Sequence, residues 1–94
     1  MPRVFIAGGH GFLGNQLFRA FSPDSVREHK SRDYDYTFPA QAERAVFEIQ
    51  PTTVINAAGK VGGIMQNSLF PAEQYVENLK IGTHLMESAW RYQV

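Results

Sequence analysis

The chain has 94 residues, enough for one small domain, and its nine Lys and Arg residues balance nine Asp and Glu residues. A formal net charge of zero gives no reason to expect nucleic acid or an anionic membrane as a partner. The lack of cysteine excludes the disulfide-rich secreted class and thiolate metal sites. No apolar run is long enough to span a membrane or to form a signal peptide, so we expect a soluble cytoplasmic domain.

The first predicted unit is a short apolar segment that runs into a cluster of glycines. Residues 4–7 read Val-Phe-Ile-Ala, which is too short for a helix and predicts a strand buried on both faces. Apolar side chains at helical spacing follow Gly14 and predict a helix that ends near Phe21, before a Ser-Pro-Asp turn. A strand, a glycine loop and a helix in this order are typical of a site for a dinucleotide pyrophosphate.

Two glycine registers fit this loop, Gly9-x-Gly11-x-x-Gly14 and Gly8-x-x-Gly11-x-x-Gly14. In either register, glycines let the backbone approach a pyrophosphate, and Gly14 lets the helix pack closely on the strand. The alternative is a glycine-rich turn that binds no ligand.

The middle of the chain predicts a second strand, a loop and a second helix. Residues 25–29 are poor strand formers. We predict a strand there only because a β-α-β unit requires one at this point of the chain. Residues 31–38 lack a helical period and predict a loop at the same edge as the glycine turn. Pro39 suits the first position of a helix that Pro51 ends. Its apolar stripe is Ala42, Ala45, Val46 and Ile49.

The last predicted elements are a buried strand over residues 52–58 and a long amphipathic helix over residues 71–90. The predicted apolar stripe of this helix is Tyr75, Leu79, Gly82, Met86 and Ala89. The order β-α-β-α-β-α predicts an α/β fold, the N-terminal half of a Rossmann-like doubly wound parallel sheet. Since another strand is due after Val94, we expect residues 1–94 to be the N-terminal part of an NAD(P)-binding domain in a longer protein.

Charged residues lie where the second strand would meet an adenosine ribose, about 20 residues beyond the glycines. Arg32 would favour the 2′-phosphate of NADP, whereas Asp33 or Asp35 would favour the free 2′-hydroxyl of NAD. Lys30 lies in the same window, and the alternative is a solvated charged loop.

Small residues end the third predicted strand. Ala57 and Ala58 would leave room for adenine and ribose, although simple close packing explains them equally well. The three histidines share no spacing with acidic residues that would indicate a metal site, so we predict none.

Taken together, these residues resemble the extended short-chain dehydrogenase/reductase family, and within it the GDP-L-fucose synthases. The resemblance is carried by residues 3–8 and 11–14, by residues 31–33, and most specifically by residues 57–65, Ala-Ala-Gly-Lys-Val-Gly-Gly-Ile-Met. It implies the glycine register that begins at Gly8. It also implies an NADP(H)-dependent epimerase/reductase that converts GDP-4-keto-6-deoxymannose to GDP-L-fucose.

The same resemblance implies roles for individual residues. The residues implied to hold the pyrophosphate are Gly8, Gly9, His10, Gly11, Phe12, Leu13 and Gly14. Arg32 would hold the 2′-phosphate, and Asp35, Tyr36 and Thr37 would lie on the adenine side. Ala57 and Ala58 would border the cofactor. His10 stands where many of these enzymes have an arginine, so NAD stays open as the cofactor.

The family's catalytic Ser, Tyr and Lys, and its sugar-binding domain, would follow Val94. We therefore predict no catalytic residue in this chain and no activity for the chain alone. The complete enzyme would bind a nucleotide sugar and form a homodimer. Two alternatives stay open: an NAD-dependent nucleotide-sugar epimerase or dehydratase, and a non-catalytic dinucleotide-binding module.

Overall fold

The computed structural model describes residues 2–30, 34–59 and 71–94, which form a parallel sheet of three strands and three helices. The strands are β1 (Val4–Ala7), β2 (Ser25–Arg27) and β3 (Thr53–Asn56), and the helices are α1 (Phe12–Ala20), α2 (Pro39–Ile49) and α3 (Pro71–Arg91). All six predicted elements are present, including the second strand. Strand β3 is not buried as predicted: Thr53 and Asn56 are exposed, because in the described part of the chain β3 lies at the edge of the sheet. Within the described ranges, no helix is long and apolar enough to cross a membrane.

The sheet has the order β2-β1-β3, with β1 in the centre. Val4 of β1 pairs in parallel with Ser25 on one side and with Thr53 on the other. The chain leaves β1 towards one edge and then crosses back over β1 to reach β3. The carboxyl ends of β1 and β3 therefore meet at a switch point of the topology, which is where open α/β sheets bind ligands.

Helices cover both faces of the central strand. Phe5 and Ala7 point to the face where α2 and α3 pack, and Ile6, which is also fully buried, points to the face of α1. The core between the sheet, α2 and α3 consists of Phe5, Ala7, Tyr36, Ala42, Ala45, Ile81 and Leu85. This arrangement confirms the α/β, Rossmann-like prediction.

Helix α2 begins at Pro39 and ends at Ile49, just before Pro51, as predicted. Pro39 occupies its first turn, where the missing N–H of proline has no helical partner to lose. Gln50 adopts the left-handed conformation at φ 52° directly after the helix, and Pro51 follows. The buried residues of α2 are Ala42, Ala45 and Val46 of the predicted stripe, and its fourth member, Ile49, is partly buried against the core.

The buried face of α3 differs from the predicted one. Tyr75, Leu79 and Met86, from the predicted stripe of Tyr75, Leu79, Gly82, Met86 and Ala89, are 67%, 52% and 73% exposed. The buried positions are instead Ile81, Leu85 and Ser88. The helix carries two rows of apolar residues, and both have helical spacing. Periodicity alone cannot tell which row meets α2 and the sheet. The predicted helix is confirmed and Gly82 and Ala89 are half-buried, but Tyr75, Leu79 and Met86 were assigned to the wrong face.

The glycine turn brings α1 into direct backbone contact with the end of β1. A Cβ atom on Gly14 would lie 2.7 Å from the carbonyl carbon of Gly8 and still closer to its oxygen. A Cβ atom on Gly11 would meet only the Gly8 oxygen, at the ordinary separation of 3.4 Å. Any side chain at position 14 therefore displaces α1 from the strand.

We predict that Leu85→Ala destabilises the protein and that Met86→Ala does not. Leu85 is 2% exposed, so its truncation leaves a cavity and should lower the free energy of unfolding by about 2–5 kcal/mol. The neighbouring Met86 is mostly exposed, so Met86→Ala should change the free energy of unfolding by less than about 0.5 kcal/mol. Urea denaturation followed by circular dichroism measures both values. Equal losses in the two variants would contradict the assigned face of α3.

We predict a similar contrast between two glycines of the turn. Gly14→Ser places a Cβ atom against backbone and should cost about 2–3 kcal/mol. Gly11→Ser adds the same atoms at the N-cap of α1, where serine is favoured, and should change stability by less than about 0.5 kcal/mol. Thermal unfolding of the two variants tests the contact, which would be refuted if Gly14→Ser were as stable as Gly11→Ser.

Candidate cofactor-binding site

A cleft of about 430 Å³ opens at the carboxyl ends of β1 and β3. It is lined by Gly8, Gly11, Glu28, Tyr34, Asp35, Tyr36, Ala57, Ala58, Gly59 and Ile81. Six of the predicted site residues are among them: Gly8, Gly11, Asp35, Tyr36, Ala57 and Ala58. The structure thus brings together the glycine turn, the loop before α2 and the end of β3, which are far apart in sequence.

The first glycines of the turn are closely surrounded by backbone. Gly8 has φ 76°, and a Cβ atom there would lie 2.6 Å from Cα of Ala58. A Cβ atom on Gly9 would lie 2.9 Å from the carbonyl oxygen of Ile6 and collide with Cβ of Arg27. Gly8 and Gly9 each begin one of the two registers, and the structure has no room for a side chain at either. The resulting cradle of bare backbone packs directly against the end of β3 and against β2.

The N-terminus of α1 faces this cradle. Gly11 is the N-cap residue, and its N–H donates to Gly8 O at 3.1 Å. The amides of the first helical turn, beginning with Phe12 and Leu13, have no acceptor within the helix and carry the positive end of its dipole. The side chains of Phe12 and Leu13 are exposed, and the first turn contains no acidic residue. An anion can therefore approach these backbone amides.

Glu28, which follows the end of β2, contacts the turn directly and was not among the predicted site residues. Its Oε2 accepts hydrogen bonds from the Gly8 N–H at 2.7 Å and the Tyr36 hydroxyl at 2.6 Å, and its Oε1 accepts one from the Gly9 N–H at 3.2 Å. The available signal was its spacing of 20 residues from Gly8. That spacing is typical of the acid that binds a cofactor ribose.

Two basic residues lie beside the turn and contact protein atoms. Exposed His10 donates from Nε2 to the carbonyl oxygen of Glu28 at 2.6 Å. The Arg27 guanidinium donates to Asn15 Oδ1 at 2.9 Å and to Gly9 O at 3.2 Å, and lies 4.0 Å from the centre of the Phe18 ring. Both side chains therefore connect the turn to β2 or α1.

The loop before α2 forms one wall of the cleft and is held in place by its own contacts. Asp35 Oδ1 accepts hydrogen bonds from the Thr37 N–H at 3.0 Å and the Thr37 hydroxyl at 2.6 Å. Tyr36 is buried, its ring stacks on Tyr34, and its carbonyl accepts a hydrogen bond from His84 Nδ1 at 2.8 Å. The predicted adenine side is thus an ordered wall that is tied to α3.

The opposite wall is the end of β3. The Ala57 N–H donates to Ala7 O at 2.8 Å, so the pairing with β1 continues one residue beyond the strand. The Ala58 N–H donates to Asn56 Oδ1 at 3.0 Å, which turns the chain away from the sheet. The small side chains of Ala57 and Ala58 leave the cleft open above Ile81 of α3.

The remaining predicted residues surround the cleft or lie outside the described part of the chain. Gly9, His10, Phe12, Leu13 and Gly14 belong to the turn and the start of α1, and Thr37 follows the cleft wall. Arg32, on which the prediction of NADP depends, lies outside the described residues, as do residues 60–65 of the most specific resemblance.

The chain is similar to known proteins over nearly its whole length. A family model described as the NAD dependent epimerase/dehydratase family matches residues 4–94. A curated protein from Oryza sativa subsp. japonica, named probable GDP-L-fucose synthase 1, is 36% identical over 92 residues, which are 93% of this chain and 27% of that protein. The chain spans less than a third of the length of the curated relatives that it matches.

Solved structures share the fold. The dTDP-4-dehydrorhamnose reductase of Bacillus anthracis str. Ames, solved in complex with NADP, matches with a TM-score of 0.82 and 26% identity over 100% of this chain and 34% of that chain. The UDP-glucose 4-epimerase of Thermus thermophilus, solved with NAD, has a TM-score of 0.75 and 23% identity over 98% of this chain and 35% of that chain. Because the family model covers the strand, the glycine turn and the cleft walls described above, the chain belongs to the NAD dependent epimerase/dehydratase family.

Proposed function

We propose that this chain is the cofactor-binding part of a nucleotide-sugar epimerase/reductase that uses a nicotinamide dinucleotide. The observation that carries the proposal is the cleft at the switch point of the sheet, where bare glycine backbone, the N-terminus of α1 and two small alanines converge. Family membership and the NADP and NAD complexes of structural relatives support the same conclusion.

In this proposal, each part of the cleft binds one part of the cofactor. The pyrophosphate lies beside the turn from Gly8 to Gly14 and is held by the first amides of α1, because the N–H groups of Gly8, Gly9 and Gly11 already donate within the protein. The loop of Asp35, Tyr36 and Thr37 lies on the adenine side, and Ala57 and Ala58 give the adenosine room. When bound, the nicotinamide supplies the hydride for reduction of a sugar carbonyl.

We propose GDP-4-keto-6-deoxymannose as the substrate of the complete enzyme and GDP-L-fucose as its product. The resemblance of residues 57–65 and the name of the rice relative support this choice over other nucleotide sugars. The groups that move protons, and the sugar-binding domain, then belong to parts of the enzyme outside these 94 residues. We also propose that the complete enzyme is a homodimer.

We propose NADP as the cofactor, because the planar guanidinium of Arg32 suits a 2′-phosphate. The proposed function holds for either dinucleotide, because both share the pyrophosphate that the first amides of α1 bind.

We predict that Ala58→Leu weakens binding of NADH and NADPH by about tenfold or more, because the larger side chain enters the cleft beside Gly8. Ala20→Leu makes the same change at an exposed position at the far end of α1 and should leave both affinities unchanged. Titration followed by cofactor fluorescence measures the affinities, and circular dichroism checks the fold. Unchanged affinity in folded Ala58→Leu would place the cofactor elsewhere.

We also predict that the isolated chain binds a dinucleotide but does not turn over the keto-sugar. The reaction needs a proton donor at the sugar oxygen, which the proposal assigns to residues outside the chain. The measurement is loss of NADPH or NADH absorbance in the presence of GDP-4-keto-6-deoxymannose. Sustained turnover by the isolated chain would contradict the assignment of the catalytic groups.

A further inference from the structure

The loop before α2 is anchored to three neighbouring parts of the fold. Tyr34 donates its hydroxyl hydrogen to Glu48 of α2 at 2.7 Å, and Tyr36 donates its hydroxyl hydrogen to Glu28 after β2 at 2.6 Å. The third anchor is His84 of α3, whose Nδ1 lies 2.8 Å from the carbonyl oxygen of Tyr36. The first two anchors hold the tips of side chains, whereas His84 holds the backbone of the loop.

The backbone at Tyr36 needs the donor that His84 supplies. Tyr36 is 5% exposed, so its carbonyl has little access to water. A buried carbonyl that loses its donor is costly, so the loop is most stable in this position while a donor lies beside it. Because a carbonyl oxygen can only accept, Nδ1 of His84 must carry the hydrogen of this bond.

The position of this loop sets the width of the cleft, because the loop lines one side and Ala57 and Ala58 line the other. A wall that is already in place adds no ordering cost when a ligand binds against it. Among the described residues, His84 is not part of the cleft lining, so it acts through Tyr36 and not by touching the ligand.

We propose that His84 is a positioning residue for the dinucleotide, which holds the backbone of Tyr36 where the cofactor needs the wall of the cleft. The proposal rests on the proposed function, in which this loop lies on the adenine side. Loss of the hydrogen bond leaves Tyr36 attached by its hydroxyl alone, and a ligand must then order the loop at a cost to its own affinity.

The ring nitrogens of His84 give a test that needs no change to the site. A neutral imidazole carries one hydrogen, and its hydrogen-bond partner decides which nitrogen holds it. We expect nitrogen-15 NMR at about pH 8, above the usual pKa of histidine, to show the hydrogen on Nδ1 of His84. The signals are assigned by their absence in His84→Asn. A hydrogen on Nε2 alone would overturn the proposal.

Two substitutions separate the hydrogen bond from the stability of α3. Asparagine places an amide N–H two bonds from Cβ, as histidine places Nδ1, whereas leucine has a similar size and no donor. Because leucine favours a helix more than asparagine does, helix propensity and the hydrogen bond predict opposite orders of affinity.

The unmodified protein and both variants are titrated with NADH and with NADPH by isothermal titration calorimetry, after circular dichroism has confirmed the fold. We expect His84→Leu to bind each dinucleotide about tenfold more weakly. We expect His84→Asn to stay within about threefold of the unmodified protein, because it keeps a donor beside the carbonyl of Tyr36.

Val46→Ala is the control for lost stability. Val46 is buried on α2 and lines a separate cavity with Phe47, Pro51 and Tyr92. Its truncation should lower the melting temperature and leave both affinities unchanged.

Unchanged affinity in folded His84→Leu would overturn the proposal, and so would equal losses in the leucine and asparagine variants. A loss in Val46→Ala as large as that in His84→Leu would also overturn it, because affinity would then follow stability alone. If His84→Leu does not fold, the affinity of His84→Asn and the NMR spectrum of the unmodified protein still decide. An unmodified protein that folds and binds neither dinucleotide would overturn the proposed function as well, so the two failures are distinguishable.

Discussion

The close backbone approach at Gly8 is the constraint on which the rest of the structure depends. The carbonyl of Gly8 touches Gly14 at the start of α1, and its Cα faces the Cα of Ala58 beyond β3. Strand β1, helix α1 and the end of β3 can approach this closely only because Gly8 and Gly14 have no Cβ atom. The same contacts set the direction of α1 and leave bare backbone at the mouth of the cleft. Packing and the proposed cofactor binding therefore depend on the same few atoms.

Glu28 extends this constraint to the second strand. Strand β2 has only three residues and poor strand propensity, so its pairing with β1 needs support from side chains. The hydrogen bonds of Glu28 to Gly8 and Gly9, and those of Arg27 to Gly9 and Asn15, supply it at the carboxyl end. Through Tyr36, the same carboxylate also holds the loop before α2. A residue that lines the cleft is thus also part of what keeps the short strand in the sheet.

Much of the fold could be predicted because its signals are local. The β1–turn–α1 unit, the start of α2 at Pro39 and the extent of α3 each follow from residues that are neighbours in sequence. The buried face of α3 could not be predicted, because Leu85 and Met86 belong to two different apolar rows. Only the packing of the helix against α2 and the sheet determines which row is buried. Glu28 was missed for a similar reason. Its partners lie 8 to 20 residues away and come together only when β2 pairs with β1.

The wall made by Tyr36 connects the cleft to the core on the other side. Its ring is buried with Leu85 and Ala45, its hydroxyl binds Glu28, and its carbonyl accepts a hydrogen bond from His84 of α3. One residue thus joins the loop, the second strand and the last helix. Because a ligand that binds only the folded cleft adds its binding free energy to the free energy of unfolding, a dinucleotide seated against this wall stabilises all three elements together. Because a small core leaves a thin stability margin, the proposed cofactor would add appreciably to the free energy of unfolding.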